Sequence, residues 1–66
     1  MVNIQDYLPL AQHIAWKAKQ RGAKGDLLSA AYLGLVKARE KYDASKGAFT
    51  TYAYRVISGA VSDESY

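Results

Sequence analysis

The chain has 66 residues, a formal net charge of +3 and no cysteine, which allows one domain and excludes disulfide bonds and thiolate metal sites. One histidine cannot form a metal cluster alone, and no run approaches the roughly 18 apolar residues of a membrane span. The N-terminal sequence also lacks the features of a signal peptide. We therefore expect a single soluble, cytoplasmic domain without a metal or cofactor.

The first helix is predicted at about residues 4–21. Asn3 is a suitable N-cap residue, although Pro9 indicates either a kinked first turn or a later start. One apolar stripe follows at helical spacing and consists of Tyr7, Leu10, Ala11, Ile14 and Ala18. Trp16 lies off this stripe, so it either covers a helix end, faces a partner or packs elsewhere in the domain.

Basic residues are concentrated in this first segment. Residues 1–25 contain one acidic residue, Asp6, against four basic ones: Lys17, Lys19, Arg21 and Lys24. Residues 26–66 contain five of each charge. Such a patch is compatible with nucleic-acid binding, but a solvated helix face is the better interpretation of four charges without further context.

The second helix is predicted at residues 27–41, with Asp26 as its N-cap. Its expected core stripe is Leu28, Ala31, Leu35, Ala38 and Tyr42. Residues 27–36 carry no charge on any face, with Ser29 and the Tyr32 hydroxyl as their only polar side chains, and a helix that is apolar all round needs cover on more than one side. The two neighbouring helices could supply that cover, or a second apolar face could bind a protein partner. Gly34 within this helix indicates close approach of another backbone.

The third helix is predicted at about residues 50–61, after a loop at residues 43–47. Thr50 is the expected cap, and the expected core stripe is Phe49, Ala53, Val56, Ile57 and Ala60. Tyr52 and Tyr54 should lie on the two flanks. Residues 1–66 are thus predicted to form a small all-α domain of three helices.

The sequence contains no constellation typical of an active site. His13 lies on a helix flank without an obvious carboxylate beside it, and Asp26 is more simply explained as a cap. Asp63 and Glu64 are adjacent, so their side chains should diverge on a helix. There is also no glycine-rich phosphate loop of recognised spacing. We therefore expect a binding protein and not an enzyme.

With these helices assigned, the sequence resembles domain 2 of bacterial sigma factors of the sigma-70 family. The matching text is "YLPLAQHIA", then "DLLSAAYLGLVKAREKYDASKG", then "FTTYA" and "ISGAVSDE". The last two segments are similar to the flagellar and stress-type members. The resemblance covers residues 7–64, and its ordered motifs at near-constant spacing make it specific.

The resemblance implies that the second helix docks on the clamp helices of the RNA polymerase β′ subunit. The family's docking positions correspond to Asp26, Ser29, Ala30, Tyr32 and Val36, of which Asp26 keeps the usual residue. The substitutions make this surface less polar, so docking should depend more on Tyr32, Leu33 and Val36.

The resemblance also implies that the third helix opens the −10 promoter element by binding its single strand. Phe49, Thr51 and Tyr52 match the family's DNA-facing positions, and Arg55 could contact a phosphate or stack on a base. Core packing is the stronger alternative for Phe49, whereas for Tyr52 the two interpretations are balanced.

Three functions remain open from the sequence. The first is a stand-alone initiation module, or a fragment of a longer factor, with a second subunit supplying recognition of the −35 element. The second is a phage- or host-encoded regulator that occupies the sigma-binding site of the polymerase without melting a promoter. The third is a helical adaptor with a different protein partner.

Overall fold

Residues 3–64 are described by a computed structural model, and their regular secondary structure is entirely helical. A 3-10 turn at Ile4–Tyr7 comes first, and helix α1 follows at Leu8–Gln20. Helix α2 spans Leu27–Lys41. A second 3-10 turn at Ala44–Lys46 then leads into helix α3, which spans Phe49–Glu64. The predicted all-α class with three helices is confirmed. The predicted domain limits of 1–66 include residues outside the described range and stay a prediction.

The first predicted helix is divided into two elements at Leu8. The Asn3 side chain accepts a hydrogen bond from the Gln5 amide at 3.0 Å and caps the 3-10 turn. Pro9 lies in the first turn of α1, where its missing N–H costs no intrahelical hydrogen bond. A continuous α-helix from residue 4 would instead place the proline ring against the carbonyl of residue 5. The later start is therefore the correct alternative.

In α2 the core residue at the N-terminal end is Leu27 and not Leu28. Leu27 is 6% exposed, whereas Leu28 is 56% exposed, so the predicted placement of Leu28 in the core was wrong. Leu27 precedes the fully buried Ala31 by four residues, which puts both on the same side of the helix. Asp26 caps α2 as predicted, because its carboxylate accepts a hydrogen bond from the Ser29 amide at 3.3 Å.

Helix α3 is longer at both ends than predicted. It begins at Phe49, and Thr50 is an exposed residue inside the helix and not its cap. At the other end it continues beyond Val61 to Glu64. The buried residues Ala53, Ile57 and Val61 are spaced four apart, so the core stripe extends one turn further and holds this end of the helix.

The core lies where the three helices meet, and α2 approaches α3 closely at Gly34. A Cβ atom added to Gly34 would lie 2.9 Å from the Ile57 Cα and 3.1 Å from the Ala60 Cβ. The expected close approach of a second backbone is therefore present. Among residues 3–64, twelve hydrophobic residues are buried: Ala11, Ile14, Ala15, Ala18, Leu27, Ala31, Leu35, Ala38, Phe49, Ala53, Ile57 and Val61.

Candidate protein and nucleic-acid interfaces

The outer side of α2 carries large apolar side chains that the other helices leave exposed. Leu28, Tyr32 and Leu33 each expose about half of their surface, at 56%, 47% and 59%. With α1 they line a groove with a volume of about 460 Å³, hereafter the α1–α2 groove, whose other lining residues are Leu8, Ala11, Gln12 and Ser29. The second apolar face that the composition of α2 suggested is thus accessible to a partner.

The structure divides the six residues predicted to bind the polymerase. Asp26, Ser29, Tyr32 and Leu33 are exposed. Ala30 and Val36 are half-buried and pack against the core, so they offer a partner less surface than the family positions implied. Sequence reasoning missed Leu28, although its position four residues before Tyr32 places both on one face of the helix.

Phe49 lies in the core and does not present its ring to a base. Its ring is packed edge-on, with centroids 4.7 Å from the Tyr7 ring and 5.1 Å from the Tyr42 ring, and the residue is only 7% exposed. Of the two interpretations that the sequence left open for Phe49, core packing is therefore the one that the structure supports. This aromatic cluster joins the start of α3 to the end of α2 and to the N-terminal 3-10 turn.

The other three residues predicted to bind DNA share one face of α3. Thr51 and Arg55 are exposed one turn apart, and Tyr52 is half-buried between them and the preceding loop. The Lys46 Nζ lies 5.5 Å from the centroid of the Tyr52 ring, within the range of a cation–π contact. The sequence analysis did not include Lys46 among the DNA-binding candidates. Its position directly before Gly47, close to the start of α3, could have indicated a basic residue near the DNA-facing positions.

Two hydrogen-bonded groups fix the loop that carries Lys46. The Tyr42 hydroxyl donates to the Gly47 carbonyl at 2.6 Å, and the Tyr42 ring also contacts Tyr52 at 5.9 Å between centroids. The Asp43 carboxylate accepts from the Ser45 amide at 2.8 Å and from the Ser45 hydroxyl. Lys46 is thereby held next to Tyr52 by the fold of the loop.

The hydrogen bonds from Ser45 lower the pKa of the Asp43 carboxyl below its ordinary value of 3.8. A lowered pKa means that the ionised carboxylate stabilises the loop above pH 3.8 and that this contribution is lost as the pH falls through the shifted pKa. We expect the Ser45 amide resonance to titrate with a midpoint below 3.8 in an NMR pH series. The variant Asp43→Asn should lack this titration, and a midpoint at or above 3.8 would contradict the hydrogen-bonded loop.

Comparison with known protein families shows which family this sequence belongs to. Residues 4–65 match the family model described as Sigma-70 region 2. The chain belongs to this sigma-70 region 2 family. The resemblance inferred from the sequence motifs is therefore confirmed.

Three relatives show how this region 2 domain compares with known sigma factors. It is 46% identical over 65 residues to the RNA polymerase sigma factor FliA of Escherichia coli strain K12, covering 91% of this chain and 27% of that protein. It is 46% identical over 66 residues to FliA of Pseudomonas aeruginosa, covering 92% of this chain and 27% of that protein. It is 40% identical over 60 residues to the sigma factor SigF of Mycobacterium tuberculosis, covering 88% of this chain and 23% of that protein.

The chain spans about a quarter of the length of these curated relatives. No solved structure matches it. Among residues 3–64, no helix combines the length and the apolar character needed to cross a membrane.

Proposed function

We propose that this sigma-70 region 2 domain acts in transcription initiation in the bacterial cytoplasm and docks through α2 on the clamp helices of the RNA polymerase β′ subunit. The observation that carries this proposal is the exposed apolar face formed by Leu28, Tyr32 and Leu33. It lies on the helix that the family resemblance assigns to polymerase binding. Sigma factors are not enzymes, and on this proposal the chain acts by binding alone.

The chemistry of this face suits a partner made of helices. A groove between two helices, lined by leucine and an exposed tyrosine, can accept apolar side chains that recur at helical spacing on the partner. Tyr32 combines an apolar ring with a hydroxyl, which makes tyrosine a frequent source of binding energy at interfaces. Ser29 and Asp26 supply polar atoms at one edge of the face.

We further propose that the start of α3 binds the single strand of the −10 promoter element. Tyr52 would provide the ring on which a base stacks, and Arg55 and Lys46 would supply positive charge for the phosphates. Thr51 adds a hydroxyl that can donate to or accept from a base edge. Phe49 supports this surface from the core, because its ring packs against Tyr42, which in turn contacts Tyr52. Recognition of the −35 element would come from another subunit or domain.

A binding experiment with core polymerase tests both proposals. Labelled protein is mixed with core polymerase, with and without fork-junction DNA that carries a single-stranded −10 element, and a β′ clamp-helix fragment serves as competitor. We expect polymerase binding that the fragment abolishes and DNA binding that prefers the −10 strand. No polymerase binding would exclude the initiation role and favour an adaptor with another partner. Polymerase binding without any strand preference would favour a regulator.

Replacing Tyr52 with alanine should reduce affinity for the −10 single strand by about 1–3 kcal/mol, because a stacking platform for one base is lost. The matched control is Tyr54→Ala, which removes the same ring from an exposed position of α3 that faces away from Lys46. Fluorescence anisotropy with labelled single-stranded DNA measures both affinities. Equal losses in the two variants, or a parallel loss of polymerase binding by Tyr52→Ala, would contradict separate surfaces for DNA and polymerase.

A further inference from the structure

The single tryptophan of the chain lies outside the core. Trp16 is 57% exposed on α1 and is one wall of a second groove, with a volume of about 610 Å³. This Trp16 groove runs between the C-terminal half of α1 and residues 23–28. The residues that line it include the apolar Ala15, Ala23 and Leu28 and the charged Lys19, Lys24 and Asp26.

The groove combines apolar lining residues with two positively charged ones, Lys19 and Lys24. Neither Lys19 nor Lys24 forms an ion pair with any residue of the described part of the chain. Of the described residues that line the groove, Asp26 is the one with a carboxylate, and it accepts a hydrogen bond from the Ser29 amide as the cap of α2. An apolar surface beside two ammonium groups that form no ion pair within residues 3–64 matches a ligand that is both apolar and acidic.

We propose that the Trp16 groove binds an amphipathic helix of a partner protein whose apolar stripe is flanked by acidic residues. The apolar side chains of that helix would cover Trp16 and Leu28, and its carboxylates would lie near Lys19 and Lys24. This surface goes beyond the proposed polymerase contact, because it is centred on α1 and the loop before α2. It shares Gln12 and Leu28 with the α1–α2 groove and Asp26 with the edge of the proposed polymerase contact.

The lining of the groove favours an acidic helix over single-stranded nucleic acid. Stacking of successive bases requires several accessible rings, but among residues 3–64 the other apolar lining residues are aliphatic and Trp16 is the only aromatic one. The His13 ring lies beside the indole, with centroids 6.3 Å apart, and does not line the groove. Asp26 would also repel a continuous phosphate chain, whereas separate carboxylates on a helix can avoid it.

The indole emission of Trp16 reports directly on occupation of the groove. Two designed peptides of about 16 residues, long enough to form helix, would share one apolar stripe and differ only in carrying glutamate or lysine beside it. We expect the glutamate peptide to shift the Trp16 emission to shorter wavelength and to bind at least about tenfold more tightly than the lysine peptide. No emission shift with the glutamate peptide, or equal affinity for both peptides, would overturn the proposal.

Charge-reversed variants locate the binding site. In the double variant Lys19→Glu/Lys24→Glu, the preference should invert in favour of the lysine peptide. The control Lys17→Glu/Arg21→Glu changes the net charge by the same amount at two positions that do not line the groove, so it should keep the original preference. If both double variants inverted the preference between the two peptides, the assignment of the binding site to this groove would be wrong. If the protein bound an oligothymidylate more tightly than the glutamate peptide, the groove would be a nucleic-acid site instead. None of these results depends on polymerase binding, which is measured separately.

Discussion

Replacing Gly34 with alanine is expected to lower the free energy of unfolding by about 1–2 kcal/mol, although alanine is the better helix former by about 1 kcal/mol. The added methyl would lie 2.9 Å from the Ile57 Cα, 3.1 Å from the Ala60 Cβ and 3.3 Å from the Val56 carbonyl oxygen. Two of these neighbours are backbone atoms, so relief requires α2 and α3 to move apart. Their separation would loosen the contacts of the fully buried Ile57.

The same substitution at Gly59 provides the matched control. Gly59 is an exposed residue inside α3, and a Cβ atom there would meet nothing within 4 Å apart from its chain neighbours and the nearby backbone of its own helix. Gly59→Ala should therefore raise the free energy of unfolding by about 0.5–1 kcal/mol through helix propensity alone. Thermal unfolding followed by circular dichroism should move in opposite directions for the two variants, by several degrees each. Stabilisation by Gly34→Ala would show that α2 and α3 are not packed this closely.

Replacing Tyr32 with alanine should weaken binding to core polymerase by about 2 kcal/mol, or roughly 30-fold, without unfolding the domain. The ring lies on the exposed face of α2 between Leu28 and Leu33 and is 47% exposed, so its removal costs few core contacts. Val36→Asp is a poorer test of the same face, because Val36 packs against the core and a buried carboxylate would destabilise the fold itself.

Surface plasmon resonance with immobilised core polymerase measures this effect, and Tyr54→Ala is its control. Tyr54 is exposed to a similar extent, at 48%, but it lies on α3 and lines neither the α1–α2 groove nor the Trp16 groove. A change of less than threefold for Tyr32→Ala, or an equal loss for Tyr54→Ala, would show that the polymerase binds elsewhere. The circular-dichroism spectrum of each variant distinguishes loss of contact from loss of fold.

The sequence predicted the surfaces of this domain less completely than its helices. Helical periodicity and the cap Asp26 identified α2, and its uncharged composition indicated a second apolar face. The same periodicity placed Leu28 in the core, because Leu27 and Leu28 are equally apolar and either begins an acceptable stripe. Burial of Leu27 depends on the directions from which α1 and α3 pack against α2, which the position of Gly34 alone does not fix.

The candidate DNA surface was likewise predicted only in part from the sequence. The motif "FTTYA" drew attention to Thr51 and Tyr52, and both lie on one face of α3 with Arg55. The contact between Lys46 and Tyr52 was missed, since it depends on a loop closed by the hydrogen bond from Tyr42 to Gly47. The burial of Phe49 likewise depends on Tyr7, which is distant in sequence.

The sequence by itself determined the three-helix class and the family, because both follow from local periodicity, capping residues and ordered motifs. Only the tertiary structure decided which apolar side chains remain exposed. A helix of mostly apolar residues such as α2 has several possible buried faces, and the choice among them is made by the two helices that pack against it. That choice buries Leu27 and leaves Leu28, Tyr32 and Leu33 available for a partner.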